Sequence, residues 1–375
     1  MTMSRAIPAP PPFDHSEADV ILRSSDKEPL DFRVFKLLLS LSSPFFTEIF
    51  TLPQPATPSP ENTSSPYADE YSSFDPVTLK HRRIPIIQMA EDQETLSYLL
   101  GLCLPISIAP QPHFSSLETL LKVAEAAIKF EMTGIQAHLR AELISPRFIE
   151  AQPLRVFAIA YRYAWDAEAR KAARYTLRQP LNSSFVNELS YISAATFFKL
   201  QEYHRTCGEV ASSRALLQPA LAEKDDNWAW VACKRCPGPL TKPIGFVGGP
   251  SNATSTFTNT PPSSPIALAA RFTFMALGIQ SPSTQPETRG WWVEWLQELA
   301  KELEVKPWGE TVRKWDPMNR AIEKAAACTF CGPRAKKDLD WYAQILSAEI
   351  EKDISSVRLD ISFGDDWASS SPSNA

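Results

Sequence analysis

Apolar and polar residues alternate near the start of the chain and then change to helical spacing. Residues 18–22 form a short apolar run rich in β-branched side chains, and Leu30, Phe32 and Val34 alternate with charged residues, which predicts two strands. The polar segment between them predicts a hairpin. From Val34 onwards apolar residues recur at helical spacing, and Ser43-Pro44 is typical of an N-cap and a first helical position. Two short consecutive helices are therefore expected.

The same patterns return after a segment rich in proline, serine and threonine. Residues 53–83 have no apolar period, which predicts a disordered insertion. Residues 84–89 predict a strand, in which Pro85 indicates a sheet edge or a strand start. Asp92 is expected to cap the next helix, and Ser115 with Glu118 forms a capping box for another. A further helix is predicted over residues 134–144.

The remainder of the chain has a helical pattern with one long interruption. Amphipathic helices are predicted over 153–165, 166–178 and 194–207, and the helical pattern continues to about residue 222. Residues 237–288 form a second loop rich in proline, threonine and serine, with one helix expected around 266–277. Two more helices are predicted, one carrying Trp292 and Trp295 and one over 338–353. Residues 1–16 and 364–375 are expected to be disordered.

Several of these segments resemble a known family. Three segments resemble the start of a BTB/POZ domain, namely 19–22 (DVIL), 31–36 (DFRVFK) and 39–46 (LSLSSPFF). Residues 99–105 (LLGLCLP) resemble the end of its third helix, and residues 120–132 (LLKVAEAAIKFEM) resemble its fourth helix. More narrowly, the chain resembles a group of fungal BTB-domain proteins with a helical extension and a Trp-rich, CxxC-containing C-terminal part. This second resemblance rests on residues 203–207 (YHRTC) and on two CxxC pairs.

The resemblance implies an α/β (α+β) fold in which a small sheet is flanked by helices. It places a BTB-like domain over 17–145, a helical extension over 146–222 and a C-terminal helical region over 223–363. It also implies homodimerisation and the docking of protein partners. Some BTB proteins bring substrates to cullin-type ubiquitin ligases, and others are transcription regulators or parts of channels. Phe35 departs from the family pattern, since many BTB domains have histidine before the lysine that begins the second helix.

Composition narrows the function classes. The chain has 375 residues, 44% of them hydrophobic, and a formal net charge of −5, which disfavours non-specific attraction to nucleic acid or anionic membranes. Twelve glycines against 33 prolines disfavour phosphate-binding loops. We find neither a signal-peptide pattern nor a run of 18 apolar residues, and therefore expect an intracellular protein of the cytoplasm or nucleus.

The strongest chemical pattern consists of two CxxC pairs, Cys233 with Cys236 and Cys328 with Cys331. One CxxC turn can direct two thiolates at the same metal ion, and two such turns complete a tetrahedral structural zinc site. The 91 residues between the pairs (237–327) exceed the spacing of a zinc ribbon, so the site requires tertiary folding. Four reduced thiols without metal, or a redox-active pair, are the alternatives.

Other candidate residues each have a structural and a functional interpretation. His204 and Cys207 could serve as metal ligands, but at helical spacing they are more typical of packing. The tryptophans around 228–230 and 291–295 could form a partner-binding face or a helical core. Arg334, Lys336 and Lys337 form a small basic patch after the second CxxC pair.

These patterns together favour a non-enzymatic protein–protein interaction protein that acts as an adaptor or an oligomerisation scaffold. The alternative is a zinc-containing regulator associated with nucleic acid, which should present an extended basic face. An enzyme has the least support, and we assign no catalytic or organic-cofactor-binding residue. Gly248-Gly249-Pro250 lacks the strand and helix that a phosphate-binding loop needs on either side.

Overall fold

A computed structural model of the chain describes residues 6–52, 72–75, 80–181, 185–217, 227–238 and 288–363. The chain divides into an N-terminal unit, comprising Met1–Tyr175 and Val186–Ile192, and a C-terminal unit, comprising Thr176–Phe185 and Ser193–Ala375. The predicted domain limits 17–145, 146–222 and 223–363 stay predictions. The helix expected around 266–277 and the glycine pair at 248–249 lie outside the described residues.

The N-terminal unit contains a small mixed sheet. Its strands in spatial order are β1 (Ile7–Pro8), β3 (Leu30–Val34), β2 (Val20–Arg23) and β6 (Ile86–Gln88). β2 and β3 are antiparallel, whereas β1 pairs with β3 and β6 pairs with β2 in parallel. A separate two-stranded antiparallel sheet joins β4 (Ser72–Asp75) to β5 (Lys80–Arg83). The described chain is mostly helical with this small sheet, so the α+β class is confirmed.

The hairpin predicted from the first apolar alternation is confirmed by β2 and β3. Arg23 and Asp31 are register partners, and the Arg23 Nε atom lies 2.7 Å from an oxygen of the Asp31 carboxylate. Val20, Ile21 and Leu22 are fully buried, because β2 lies in the sheet interior and is covered on both faces. β6 is an edge strand that follows Pro85, as the proline indicated.

Helices surround this sheet within the N-terminal unit. Ser43 caps the second helix by accepting a hydrogen bond from the Phe46 amide at 3.2 Å. Asp92 caps the third helix by accepting a hydrogen bond from the Thr95 amide at 2.8 Å. Both predicted caps are therefore confirmed. The helices are α1 (Lys36–Ser42), α2 (Pro44–Thr51), α3 (Gln93–Cys103), α4 (Leu117–Lys129), α5 (Thr133–Leu143), α6 (Pro146–Ile149), α7 (Pro153–Arg162) and α8 (Asp166–Thr176), with a 3₁₀ helix at Asn187–Tyr191.

Three predictions for this unit need correction. The N-cap of α4 is Ser116 rather than Ser115, and its hydroxyl accepts from the amides of Glu118 and Thr119. Residues 6–16 are not disordered, because β1 extends the sheet and Phe13 packs edge-on against Phe32 at 5.3 Å. Within the predicted insertion 53–83, β4 and β5 form an antiparallel pair, while residues 53–71 and 76–79 lie outside the described residues.

The C-terminal unit is helical. Its elements are α9 (Ala194–Leu217), α10 (Ala229–Ala232), α11 (Gly290–Val305), a 3₁₀ helix at Gly309–Arg313, α12 (Trp315–Ala326) and α13 (Gly332–Ser356). α9 joins the helix predicted over 194–207 to the helical stretch predicted to continue towards residue 222, and α13 begins six residues before the predicted start at 338. α12 was not predicted. No helix in the described part of the chain is long and apolar enough to cross a membrane.

α9, α11 and α13 pack together and set the frame of the C-terminal unit. Gly208 on α9 lies so close to α11 that an added Cβ would be 2.6 Å from the Glu304 carbonyl oxygen. Arg214 on α9 donates through Nε to the Asp353 carboxylate on α13 at 2.5 Å. The short segments carrying the cysteine pairs lie at the ends of α10, α12 and α13.

Candidate metal centre

The structure brings the four cysteines of the two CxxC pairs together. Cys233 directly follows α10 and Cys236 lies three residues further on, while Cys328 follows the C-terminus of α12 and Cys331 precedes α13. Each pair therefore occupies a tight turn next to a helix end. Although 91 residues separate the pairs in the sequence, their four sulfur atoms lie within 4.8 Å of one another.

The distances fit a single four-coordinate ion. The Cys233 and Cys328 sulfurs are 3.8 Å apart, and so are those of Cys236 and Cys331. A tetrahedral ion with metal–sulfur bonds of about 2.3 Å places its ligands about 3.8 Å apart. All four cysteines are free thiols, and a disulfide would require a sulfur–sulfur distance of about 2.0 Å. The four cysteines can thus hold a metal ion.

Backbone amides in both turns favour the thiolate form of one cysteine per pair. Burial acts to raise the pKa of Cys233. The backbone amides of Cys236 and Arg235 lie 3.5 and 3.4 Å from the Cys233 sulfur, and their hydrogen bonds outweigh the effect of burial, so the pKa of Cys233 is lowered. The amides of Cys331 and Phe330 lower the pKa of Cys328 to about 6. Such N–H donors are typical of turns that hold a metal-bound sulfur.

The second cysteine of each pair behaves in the opposite way. Burial raises the pKa of Cys236 to about 11 and also raises the pKa of Cys331. Four thiolates this close would repel one another strongly, so without a cation the protonated form of Cys236 and of Cys331 is favoured. A divalent ion among the sulfurs would supply the charge that lets all four ionise.

Neighbouring polar groups hold the two turns in place. Arg235 Nη1 in the first turn donates to Thr329 Oγ1 in the second at 2.6 Å. Arg289 Nη1, at the start of α11, donates to the Cys236 carbonyl at 3.2 Å. The Ala229 amide at the start of α10 donates to an Asp338 carboxylate oxygen on α13 at 2.9 Å. These bonds connect the first cysteine turn to the second and to the start of α11, and they connect α10 to α13, which orients the ligands before any metal binds.

An aromatic cluster lies directly behind the first turn. Trp230 stacks on Trp292 with ring centres 5.1 Å apart and on Trp228 at 4.9 Å, and Tyr342 meets its ring edge-on at 5.6 Å. The core interpretation of the tryptophans is confirmed, because the following side chains are all buried: Trp228, Trp230, Trp291, Trp292 and Trp295. Trp230 lies in α10, which Cys233 directly follows, so the buried aromatic cluster is adjacent in the chain to the first cysteine turn.

His204 and Cys207 do not belong to the cluster. Both lie on α9 and are buried, and His204 Nε2 lies 3.3 Å from the Gln179 carbonyl oxygen. Burial lowers the pKa of His204, which favours its neutral form. Among the described residues, the metal-ligand group contains neither of them, so the packing interpretation is confirmed.

The small basic patch after the second CxxC pair is partly engaged within the protein. Arg334 donates through Nη2 to the Asn227 carbonyl at 2.8 Å, and its guanidinium lies 5.0 Å from the centre of the Phe330 ring. Lys336 and Lys337 are exposed. Two exposed lysines make a local charge rather than the extended basic face of a nucleic-acid-binding surface.

A cleft beside the cysteines was not predicted. It measures about 570 Å³, and Cys236 and Cys328 form part of its wall together with Arg235, Trp291 and Lys324. Its residues come from the two cysteine turns, α11 and α12, so no local sequence pattern indicates it. The cleft gives solvent a route to one side of the candidate metal centre.

Comparison with known proteins identifies no family for this chain. No protein-family model matches the chain, and neither a curated protein nor a solved structure matches it.

Proposed function

We propose that the N-terminal unit is a BTB-like interaction domain and that the chain is a non-enzymatic adaptor or oligomerisation scaffold. The order of elements supports this proposal: a hairpin, a pair of short helices, an edge strand, and then α3, α4 and α5. A small mixed sheet flanked by helices is what the BTB resemblance implies. In this proposal the first partner is a second copy of the chain.

The exposed face of α1 carries the proposal. Leu37 is 68% exposed and Leu41 is 76% exposed, whereas Leu39 on the opposite face is buried. Residues four apart in a helix lie on the same face, so the two exposed leucines form one apolar patch. In a twofold dimer the same patch on each copy would face the other, which buries both pairs of leucines. Exposed leucines that are paired in this way are typical of an interaction surface.

Substitution of Leu41 tests this dimer, and Ile106 provides a matched control because its side chain is also 76% exposed. Burying a leucine contributes about 1.5–3 kcal/mol. Leu41→Asp removes that contribution from both copies, so the dimer should weaken by a factor of about 100 or more. Ile106→Asp should leave the dimer unchanged.

Size-exclusion chromatography with light scattering at tens of micromolar measures both variants. We expect a dimer for the natural chain and for Ile106→Asp, and a monomer for Leu41→Asp. A natural chain that runs as a monomer over the whole concentration range refutes the proposed self-association. Equal behaviour of the two variants would mean that α1 is not the interface.

We further propose that the four cysteines of the C-terminal unit bind a structural zinc ion. Thiolate sulfur is a preferred zinc ligand, and the two sulfur–sulfur distances of 3.8 Å support tetrahedral geometry. Four protein ligands leave no open position for a substrate or a reactive water, which is typical of structural rather than catalytic zinc. The ion would join two turns that lie far apart in the sequence and so fix the ends of α10, α12 and α13.

A further inference from the structure

The cysteine cluster has a buried side and an open side. Cys233 and Cys331 are buried, while Cys236 and Cys328 are half-exposed and line the cleft described above. A small molecule in the cleft can therefore reach one sulfur of each CxxC pair. The other sulfur of each pair is shielded by the protein.

The short sulfur–sulfur contacts connect these two sides. Cys328, in the cleft, lies 3.8 Å from buried Cys233, and Cys236, in the cleft, lies 3.8 Å from buried Cys331. Both contacts join the first turn to the second. Each exposed sulfur thus has a buried partner in the other turn, and closing either contact to a disulfide requires the sulfurs to approach by about 1.8 Å.

We propose that Cys328 and Cys236 are sites of oxidation by small hydroperoxides, and that the resulting disulfides join the two turns in place of the metal ion. This inference rests on the proposed zinc centre. The metal and the disulfides would then be alternative links between the same elements. The turns would stay joined when the metal leaves.

The chemistry balances with hydrogen peroxide as the oxidant. The Cys328 thiolate attacks one peroxide oxygen, the O–O bond breaks, and the leaving hydroxide takes a proton from solvent to become water. The Cys233 thiolate then attacks the oxidised Cys328 sulfur, an S–S bond forms, and a second hydroxide leaves as water. Two thiolates lose two electrons and one peroxide gains them. Cys236 and Cys331 consume a second peroxide in the same way.

The surroundings of the cleft suit this step. Arg235 lines the cleft and, through its bond to Thr329, lies across both turns, which places a positive charge near the departing hydroxide. Loss of thiolate ligands lowers the affinity for zinc, because a disulfide sulfur is a far weaker ligand than a thiolate. Metal release should therefore accompany oxidation.

Peroxide titration of the full chain tests the inference. The reduced protein is first analysed for zinc, then treated with hydrogen peroxide while a colorimetric chelator records the released metal, and its disulfides are mapped by mass spectrometry without reduction. We expect release of all bound zinc at two peroxides per ion, with Cys233–Cys328 and Cys236–Cys331 disulfides. Cys103→Ser is the control, since Cys103 is a half-exposed thiol outside the cluster, and should release zinc identically.

The possible outcomes separate this inference from the proposed zinc centre. If the reduced protein contains no zinc, the proposed centre is wrong and this inference falls with it. If zinc is present but is retained under peroxide, the centre stands and the inference is wrong. Disulfides found within one turn, Cys233–Cys236 or Cys328–Cys331, also overturn it, because the two turns would then separate.

Discussion

At Gly208 the backbone of α11 occupies the space that a side chain on α9 would need. A Cβ added to Gly208 would lie 2.6 Å from the Glu304 carbonyl oxygen and 3.2 Å from its Cα and carbonyl carbon. Gly134, near the start of α5, is the natural comparison, because a Cβ added there meets nothing within 4 Å. The same glycine-to-alanine change should therefore have opposite effects at these two positions.

The magnitude follows from two terms of opposite sign. Alanine stabilises a helix by about 0.5–1 kcal/mol relative to glycine at either position. At Gly208, α9 and α11 must move apart by about 0.8 Å to relieve the 2.6 Å contact, and overpacking of this kind costs about 1–3 kcal/mol. A backbone carbonyl cannot rotate away as a flexible side chain can. Gly208→Ala should thus destabilise its unit by up to about 2.5 kcal/mol, and Gly134→Ala should stabilise its unit by about 0.5–1 kcal/mol.

Differential scanning calorimetry of the two variants measures these effects. For a unit of this size each kcal/mol corresponds to about 2–4 °C in Tm, so Gly208→Ala should lower one transition by up to about 10 °C. Gly134→Ala should raise the other by about 1–4 °C. If Gly208→Ala raises Tm as much as Gly134→Ala does, then α9 and α11 do not lie as close together at Gly208 as the structure shows.

Two further predictions concern the N-terminal unit. Hydrogen bonds from Ser116 and Arg155 lower the pKa of Glu118 from 4.5 to about 2. Because these bonds favour the ionised carboxylate, they stabilise the folded protein fully above pH 4.5, and this stabilisation is lost as the pH falls towards 2. Glu118→Gln should flatten the loss of stability over this range, and an unchanged acid-unfolding curve would contradict the interaction. Ser43 caps α2 and donates to the buried Phe130 carbonyl at 2.5 Å, so Ser43→Ala should cost about 2–4 kcal/mol in urea unfolding. A cost below about 0.5 kcal/mol would show that these bonds are not made.

Local sequence signals predicted local structure well. Neighbours in the chain decide the strand over Leu30–Val34 and the Ser43-Pro44 cap, and both elements appear in the structure, although Asp31 of that strand is buried rather than exposed. The cap of α4 was placed one residue early because Ser115 and Ser116 are both good capping residues. β1 was missed because it is only two residues long and lies in a proline-rich segment, and only its pairing with β3 makes it a strand.

The candidate metal centre could likewise be predicted from the sequence only in part. The ligand types and the CxxC spacing of Cys233, Cys236, Cys328 and Cys331 are visible in the sequence, but their approach to within 4.8 Å depends on the packing of α10, α11, α12 and α13. The division into buried and cleft-facing sulfurs has no sequence signal at all, since each pair contributes one of each. Tertiary packing alone decides which sulfur faces the cleft.

Metal analysis of the full chain, purified under reducing conditions without added chelator, tests the zinc centre most directly. Inductively coupled plasma mass spectrometry should find about one zinc ion per chain, as expected for a closed site with four cysteine ligands. Cys328→Ser should remove most of this zinc, whereas Cys103→Ser, outside the cluster, should keep it. Reduced natural protein that is folded but free of zinc and other divalent metals would contradict the proposal that a metal ion joins the two cysteine turns.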